Sequence, residues 1–353
     1  MRRRDFVSGG LAATVSGVVT HVPAARAAAK PTIPFGAAVR GGALVDDYDY
    51  RMALVERCQL VVGEGGLKWF DLRPSAEEFN FFDADKLLDF AQQNGMKMRG
   101  HTLVWYGAMP DWTKSISGAS EALREMTQHI EKVVGRYKGR ISSWDVVNEA
   151  IAEDPSTSDY LRPSIWESNL GKPYIETAFR RAAEIDSDTQ LVINEYDIEF
   201  VGDRYKRRRD ALLRVVKDLR DRDVPIHAVG LQGHLRGDYE IDKEGVSAFV
   251  AELKEMNIDV IVTELDVIDH LLPADNQVRD EAVAAIAADF LGAICDVSRP
   301  TAILTWGISD RYTWVPIYFT RDDGKPNRPL PLDRDYLPKP FMKVIQNFTR
   351  GTG

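Results

Sequence analysis

The chain has little cysteine. Cys58 and Cys295 are the only two among 353 residues, too few for a disulfide framework or a thiolate metal site. The sequence places Cys58 on the first predicted helix and Cys295 on the seventh. In a closed barrel the eighth helix would lie between them, so no bridge is expected. We interpret both as buried thiols.

The chain also lacks an excess of positive charge. Its formal net charge is -9 at pH 7, which argues against nucleic acid and anionic membranes as partners. Beyond the N-terminus there is one basic run, Arg207-Arg-Arg209. Apolar residues surround this run at helical spacing, which predicts a solvated helix face. No stretch after the N-terminus is apolar enough to cross a bilayer.

Residues 1–29 have the pattern of an export signal. Met1-Arg-Arg-Arg-Asp-Phe-Val7 precedes an apolar, small-residue run at 9–19 and an alanine-rich stretch at 24–29. This order of segments is typical of a secretory signal peptide, and Arg3-Arg4 resembles a twin-arginine signal. The apolar run is too short to span a membrane. We therefore expect no membrane insertion, export to the periplasm or beyond, and a mature chain of residues 30–353.

Strand-like and helix-like runs alternate through the mature chain. Strands are predicted near residues 34–39, 60–63, 97–104, 141–147, 190–194, 226–232, 259–264 and 302–306. Helices are predicted near residues 49–58, 83–94, 119–138, 172–185, 203–222, 243–256, 277–296 and 338–349. Eight such units with short connections favour an α/β fold of one domain, a single (β/α)8 TIM barrel, over an open sheet.

Two of the predicted strands end in glutamate. Glu149 follows the apolar run that begins at Ile141, and Glu264 follows the run that begins at Asp259. A β/α barrel carries its catalytic groups at the carboxyl ends of its strands. One such glutamate could equally be a loop residue after a core strand. Two of them, far apart in sequence, form the pair of carboxylates that glycoside hydrolysis requires.

Polar and aromatic residues follow most of the other strands and should converge on the same face. Tryptophans provide flat apolar platforms for sugar rings, while amides, imidazoles and ammonium groups bind hydroxyls. No H-E-x-x-H motif or comparable cluster occurs, so no metal is expected. The residues concerned are Glu64, His101, Trp105, Asn148, Asn194, Glu195, Tyr196, Asp197, Gln232, His234, Asp266, Trp306, Asp310 and Trp314.

Five motifs resemble those of glycoside hydrolase family 10, the endo-β-1,4-xylanase family. The resemblance extends from about Pro34 to Phe348 and implies a (β/α)8 barrel, retention of configuration and no cofactor. The motifs are Gly100-His-Thr-Leu-Val-Trp105, Trp144-Asp-Val-Val-Asn-Glu149, Gly230-Leu-Gln-Gly-His234, Thr263-Glu-Leu-Asp266 and Thr305-Trp-Gly-Ile-Ser-Asp310.

The resemblance also implies roles for individual residues. Glu149 would be the acid/base, Glu264 the nucleophile, and Asn148 would hold the sugar 2-hydroxyl in the transition state. His234 and Asp266 would orient and tune Glu264. Tyr196 would line the aglycone side. The glycone side would be lined by Glu64, Lys68, His101, Trp105, Gln232, Trp306 and Trp314.

The sequence departs from the family pattern near the sugar sites. Gly65 stands in place of an asparagine, and Tyr106-Gly-Ala108 in place of histidine, a spacer and glutamine. The usual Asn-Asp-Tyr-Asn reads Asn194-Glu-Tyr-Asp197, and Val315 replaces an arginine. None of these positions belongs to the catalytic pair. Gly65 and Ala108 each remove a polar side chain and are expected to leave space on the glycone side.

Three functions remain open on the sequence alone, each with a polysaccharide as partner and each expected of a monomer. The first is retaining endo-hydrolysis of a β-1,4-xylan-type polysaccharide. The second is the same chemistry on a decorated xylan or another β-glycan, such as a bacterial exopolysaccharide. If neighbouring residues refill the space at Gly65 and Ala108, xylan remains the substrate. The third is non-catalytic carbohydrate binding, against which the intact Glu149 and Glu264 argue.

Overall fold

Eight parallel strands close into a barrel in the computed structural model, which describes residues 32–350. The first strand pairs with both the second and the last, so the barrel has no free edge. Predictions for residues 1–29, and the boundary after them, lie outside the described residues. The strands are β1 Phe35–Val39, β2 Leu60–Gly63, β3 Lys97–Val104, β4 Ser143–Asn148, β5 Gln190–Glu195, β6 Ala228–Leu231, β7 His234–Arg236, β8 Asp259–Ile268 and β9 Ile303–Thr305.

The short strand β7 lies outside the ring of eight. Strand β6 pairs directly with β8, and β7 pairs with the end of β8 that extends beyond the barrel. In this pairing His234 lies opposite Asp266. The sequence did not predict β7 or the extension of β8. Their pairing brings two of the predicted site residues together at the rim.

Helices connect the strands and cover the outside of the barrel. All eight predicted helices are present, with ends shifted by only a few residues. The structure adds α1, α3 and α6, which span too few turns to produce a periodic signal. The helices are α1 Gly41–Asp46, α2 Tyr48–Arg57, α3 Trp69–Leu72, α4 Phe82–Gln93, α5 Ala119–Tyr137, α6 Ile165–Leu170, α7 Pro173–Ile185, α8 Asp203–Asp221, α9 Lys243–Glu255, α10 Asn276–Cys295 and α11 Pro340–Thr349.

Close packing between strands explains one of the sequence motifs. Trp144 on β4 is fully buried, and its ring lies against Gly100 on β3. A Cβ atom at Gly100 would lie 2.1 Å from that ring. Only glycine permits this approach, which allows His101 to follow at the level of the site.

The prediction for the basic run at 207–209 is wrong for two of its three arginines. Arg207 is exposed, but Arg208 and Arg209 are buried. The Nη2 atom of Arg208 lies 2.9 Å from Oε2 of Glu195 at the end of β5, and Arg209 pairs with Asp242. Helical spacing places both arginines on the face that carries Leu212 towards the barrel. Buried charges are tolerated there because each one has a carboxylate partner.

The two cysteines are free thiols, as expected, but they differ in exposure. Cys58 is buried, whereas Cys295 at the end of α10 is only partly buried, so the prediction of two buried thiols is wrong for Cys295. The ends of the described chain lie side by side, since the Ile33 N–H donates to the Thr349 carbonyl at 2.9 Å. Within residues 32–350, no helix is both long and apolar enough to cross a membrane.

Candidate active site

A cleft of about 550 Å³ lies at the carboxyl ends of the strands. It brings together most of the residues that the sequence singled out. Asp266 lies behind the cleft wall, and Glu64 borders a neighbouring cavity instead. The predicted residues that line the cleft are Lys68, His101, Trp105, Asn148, Glu149, Tyr196, Gln232, His234, Glu264, Trp306 and Trp314.

Glu264 is a buried carboxylate surrounded by donors. Its side chain is only 6 % exposed. Oε1 accepts a hydrogen bond from the Asn194 amide at 2.7 Å, and Oε2 lies 3.2 Å from Nε2 of His234. Burial raises the pKa of Glu264, but the hydrogen bond from His234 and the positive charges of His101, His234 and Lys68 outweigh burial and lower it to about 2. Glu264 is therefore an anion at any ordinary pH.

His234 connects Glu264 to Asp266. Its Nδ1 lies 2.9 Å from Oδ1 of Asp266, and Oδ2 of that carboxylate accepts a hydrogen bond from the Trp314 indole at 2.7 Å. Burial lowers the pKa of His234, but the carboxylates of Asp266 and Glu264 raise it well above its usual value. The ring is thus protonated and donates from both nitrogens, which fixes the orientation of Glu264.

Glu149 has a different environment from Glu264. It follows the last residue of β4 in the left-handed region, with φ of 56°. This conformation is uncommon for a residue with a side chain. Its main chain is fixed on both sides, since Glu149 N–H donates to Asn194 O and its carbonyl accepts from Arg162 Nε, each at 2.9 Å. The carboxylate accepts from the Trp105 indole at 2.8 Å and from the Gln232 amide at 3.0 Å.

A chain of amides joins the two carboxylates. Asn194 Nδ2 donates to both Asn148 Oδ1 and Glu264 Oε1, at 2.9 and 2.7 Å. Gln232 Nε2 lies 3.4 Å from the same Asn148 oxygen and 3.0 Å from Glu149. Sequence reasoning placed Asn194 at a strand end but gave it no role. The structure puts it in direct contact with Glu264, oriented by the Thr263 hydroxyl at 2.7 Å.

Aromatic rings and an ammonium group form the wall on the predicted glycone side. Lys68 Nζ lies 5.1 Å from the Trp105 ring centroid and 5.4 Å from that of Trp306, within cation–π range. His101 is buried behind them, its Nδ1 2.9 Å from Asp145 Oδ2. The flat faces and the ammonium donor together suit a sugar ring with its hydroxyls.

The wall on the predicted aglycone side is built around Arg162. Its Nη2 donates to the Tyr196 hydroxyl at 2.6 Å, and the hydroxyl donates to Glu153 at 2.5 Å. The guanidinium carbon lies 4.5 Å from the Tyr106 ring centroid. Burial and the negative charge of Glu149 raise the pKa of Tyr106 to about 12. Neither Arg162 nor Glu153 was identified from the sequence, because each follows β4 in an irregular loop.

The space expected at Gly65 is not empty. A Cβ atom at Gly65 would lie 2.6 Å from Oδ2 of Asp71, which accepts a hydrogen bond from Gly66 N–H at 2.9 Å. The Asp71 carboxylate therefore occupies the position into which a side chain at 65 would extend. Asp71 thus takes the space directly beside Gly65, while Gly65 also lines the neighbouring cavity of about 330 Å³. Ala108 is exposed at the surface beyond Trp105.

This arrangement can perform acid–base and nucleophilic chemistry on a sugar. The Glu264 carboxylate is held as an anion, whereas the Glu149 carboxylate accepts hydrogen bonds from neutral donors and faces the cleft. Aromatic side chains lie beside both. Among residues 32–350 no group of three or more histidine, cysteine or acidic side chains is placed to hold a metal ion. The two glutamates and the amides that join them are the candidate reactive centre of the cleft.

Comparisons with known proteins agree with this geometry. The family model described as glycosyl hydrolase family 10 matches residues 24–348. A β-1,4-xylanase of Dictyoglomus thermophilum is 33 % identical over 337 residues, covering 92 % of this chain and 91 % of that protein. The crystal structure of native xylanase 10B from Thermotoga maritima superposes with a TM-score of 0.81 at 30 % identity, covering 90 % of this chain and 95 % of that one.

A further solved structure contains a sugar. Xylanase 10B from Thermotoga petrophila in complex with xylobiose is similar with a TM-score of 0.80 at 29 % identity. The match covers 90 % of this chain and 94 % of that one. The (β/α)8 barrel predicted from the sequence is thus confirmed both by the strand pairing and by these similarities.

Proposed function

The chain belongs to glycosyl hydrolase family 10, and on this premise we propose that it is a retaining endo-β-1,4-xylanase acting on xylan-type polysaccharide. The observation that carries the proposal is the pair Glu149 and Glu264, joined through Asn148, Asn194 and Gln232 in one cleft. The similar proteins are named as xylanases, and the matches span nearly the whole length of both chains. This supports xylan as the substrate.

In the first step Glu264 attacks the anomeric carbon and Glu149 protonates the leaving glycosidic oxygen. The bond to the departing sugar breaks as the bond to Glu264 forms, which gives a covalent glycosyl-enzyme. In the second step the ionised Glu149 removes a proton from water, and that water displaces Glu264. Two inversions at one carbon restore the original configuration.

The neighbouring residues prepare each carboxylate for its step. His234, itself held by Asp266, keeps Glu264 ionised and directed into the cleft. Asn148 lies between the two glutamates, hydrogen-bonded to the amides of Asn194 and Gln232, and in the proposed mechanism its side chain would bind the 2-hydroxyl of the reacting sugar. Interactions that strengthen in the transition state accelerate the reaction more than those made equally with the substrate.

The other proposed contacts bind the flanking sugars. Trp105, Trp306 and Lys68 would hold the glycone unit, with Trp314 on the same side. Tyr196, fixed by Arg162, would contact the aglycone. These contacts bind substrate and transition state alike, so they act mainly on affinity.

Two measurements on beechwood-type xylan test the proposal. Proton NMR of the first products should show the β-anomer, and size analysis should show internal cleavage into oligosaccharides. An initial α-anomer would rule out the double displacement. Binding of xylan without any turnover would instead support the non-catalytic alternative, which the intact pair of glutamates argues against.

Substrates other than plain xylan are not favoured by the site. The argument for them depended on empty space left by the missing asparagine and glutamine. Asp71 takes the space directly beside Gly65, and the similar proteins are xylanases, so plain xylan remains the expected substrate. Comparing initial rates on xylan, glucan, mannan and a bacterial exopolysaccharide tests this choice.

We propose, finally, export by a twin-arginine signal in residues 1–29 and a monomeric mature enzyme. The support is the order of arginine pair, apolar run and alanine-rich stretch in the sequence. Secreted material should begin near residue 30 by N-terminal sequencing, and replacing Arg3-Arg4 by lysines should block its export. Sedimentation analysis of the mature chain should give the mass of one copy.

A further inference from the structure

Two residues of the candidate site, Gln232 and His234, flank a glycine that belongs to no strand. Strand β6 ends and β7 begins on either side of Gln232 and Gly233, which form the step between the two strands. Gly233 has φ of 71°, in the left-handed region that glycine adopts readily. A Cβ atom there would lie 3.0 Å from the Phe290 ring. Because this position has no side chain, hydrogen bonds alone must fix the orientation of its backbone.

The peptide bond between Gln232 and Gly233 is held from both sides. Its carbonyl accepts a hydrogen bond from the main-chain N–H of Glu264 at 2.9 Å. Its N–H donates to Oε1 of Glu199 at 3.1 Å. A trans peptide is planar and directs these two groups in opposite directions, so the two contacts together fix one plane. The orientation of that plane sets the directions of the side chains before and after the glycine.

We propose that Glu199 is a positioning residue for the hydrolysis, because through this peptide bond it sets the directions of the Gln232 and His234 side chains. Gln232 donates to Glu149 at 3.0 Å. His234 Nε2 lies 3.2 Å from Oε2 of Glu264. One buried carboxylate thus aligns a donor to each member of the proposed catalytic pair. The inference rests on the proposed function, because it assigns a further residue to the reaction of that same cleft.

Glu199 is itself held firmly in the loop that follows β5. It is 1 % exposed, and its Oε2 accepts the Ile198 N–H at 2.8 Å. Its main-chain carbonyl accepts the Asp242 N–H at 2.9 Å. The Ile198 carbonyl accepts a hydrogen bond from Arg209 Nη1, also at 2.8 Å. These contacts prevent the carboxylate from moving away with its loop, so it can act as a fixed acceptor for Gly233.

No ion pair accounts for the burial of Glu199. Among residues 32–350 no lysine or arginine pairs with its carboxylate, whereas Glu195 at the end of β5 pairs with Arg208. Burial and then the negative charge of Asp197 raise the pKa of Glu199 to about 7, against the opposing effect of its backbone hydrogen bonds. A buried acid without a cation lowers the stability of a fold. Such a group is expected where a function depends on it.

Glu199→Met tests the proposal, since methionine has a similar length but no oxygen acceptor for the Gly233 N–H. The matched control is Asp186→Leu. Asp186 follows α7 at the end of the barrel away from the cleft, is 2 % exposed, and accepts the Gly139 N–H at 2.9 Å. Both variants therefore remove a buried carboxylate that binds a glycine N–H. Both should melt below the wild type, but only Glu199→Met should disturb the site.

The hydrogen bond to Gly233 can be observed directly. The dipeptide Gln-Gly occurs once in the sequence, at 232–233. A chain with ¹³C-carbonyl glutamine and ¹⁵N-glycine therefore gives a single coupled amide signal in NMR. Hydrogen exchange of this amide should be about tenfold faster or more in Glu199→Met, because its protecting partner is gone. The exchange rate should be unchanged in Asp186→Leu.

The kinetic effect should appear in kcat. Misplacing reacting groups by about 1 Å can cost about a hundredfold, so Glu199→Met should lower kcat on xylohexaose about 10- to 100-fold. KM should change by less than about twofold, because the tryptophan platforms do not depend on Glu199. Aryl xylosides should show the same loss as xylohexaose, since the partner of Glu264 is displaced along with that of Glu149. Asp186→Leu should keep the kcat and KM of the wild type.

Glu199→Gln provides a second, nearly isosteric variant, which decides the matter by the same two measurements if Glu199→Met does not fold. Its one amide oxygen can accept either the Ile198 or the Gly233 N–H. The proposal requires kcat to be retained if the Gly233 amide stays protected and to fall if it does not.

A Gly233 amide that exchanges fast while kcat stays at the wild-type value would overturn the proposal. An equal loss of kcat in Asp186→Leu would do the same, because it would reduce the effect to lost stability. Hydrolysis of xylan by the wild type separates these results from the proposed function. An inactive wild type would refute that function and the role of Glu199 with it, whereas an active wild type with equally active Glu199 variants would refute only the role of Glu199.

Discussion

The two glutamates proposed as the catalytic pair occupy equivalent places at strand ends, yet their neighbours differ in charge. Glu264 is buried on β8 and takes a hydrogen bond from a protonated histidine. Glu149 follows β4, is partly exposed, and takes hydrogen bonds from the neutral Trp105 and Gln232. If the proposed roles are right, hydrogen-bond partners, and not the residue type, separate the nucleophile from the proton carrier.

The backbone reinforces this difference. Glu264 lies within a ten-residue strand that is paired on both sides. Glu149 lies just beyond the end of β4 in a left-handed backbone conformation, and hydrogen bonds with Asn194 and Arg162 hold its main chain in place. One carboxylate is built into the barrel wall, and the other is presented to the cleft, where a leaving oxygen and then a water can reach it.

Removing the nucleophile should have the largest effect. Glu264→Ala should lower kcat by about 10⁵-fold or more on every substrate, as when a nucleophile is deleted elsewhere. Added azide should restore activity by attacking in the vacated space, and should give the product of inverted configuration. The exposed Glu255→Ala on α9 is the control. Near-native rates for Glu264→Ala would remove the distinction between the two glutamates.

Removing the proton carrier should have a smaller effect that depends on the substrate. Glu149→Ala should lose about 10²–10⁴-fold on xylan, the usual contribution of general acid catalysis. Aryl xylosides with acidic phenols need little proton donation, so formation of the glycosyl-enzyme should be nearly unaffected in a burst measurement. An equal loss on both substrates would argue against this role for Glu149.

Removing the positive charge beside Glu264 should change the pH profile. In the wild type the pKa of Glu264 is about 2, below the ordinary 4.5. In His234→Asn burial is no longer opposed by the imidazolium, so the pKa should rise. The acid limb of the kcat/KM profile should therefore move to higher pH. At pH 5, kcat/KM should fall about tenfold for each unit by which the pKa of Glu264 in the variant exceeds 5. His227→Asn, at the other end of the barrel, should leave the profile unchanged.

The smallest effect is expected beside Glu149. Tyr106→Ala removes the ring on which Arg162 stacks at 4.5 Å. A loss of about three- to tenfold in kcat/KM on xylo-oligosaccharides is expected, the size of one partly exposed cation–π contact. Tyr106→Phe keeps the ring and should retain most activity. Equal losses in both variants would show that the hydroxyl, and not the ring, is what matters.

The barrel, and the presence of two glutamates at its strand ends, could be predicted because they depend on local patterns. Alternating apolar runs revealed the eight strands, and Glu149, Glu264 and His234 lie in motifs at their ends. Asn194 was visible as a strand-end amide, but its contact with Glu264 depends on the pairing of distant strands.

Other features depend on contacts that no local pattern encodes. The burial of Arg208 depends on Glu195, with which it forms a buried ion pair. Removing one partner of such a pair typically lowers the stability of the fold by about 3–5 kcal/mol. Asp71 occupies the space beside Gly65 because of how an irregular loop folds back. Arg162 reaches Glu149 across such a loop as well. These contacts could be identified only from the structure.

The hydrogen bond between Ile33 and Thr349 has a consequence for how the gene can be arranged. Because β1 pairs with β9, the ring has no first strand in a physical sense. A short linker could join the described ends, and new termini could open in the exposed turn at 187–188, on the side away from the cleft. In the sequence of such a circular permutant, Glu264 would come before Glu149. We expect the geometry of the site to survive this change in the order of its parts, because closure of the ring fixes the relative positions of the strands.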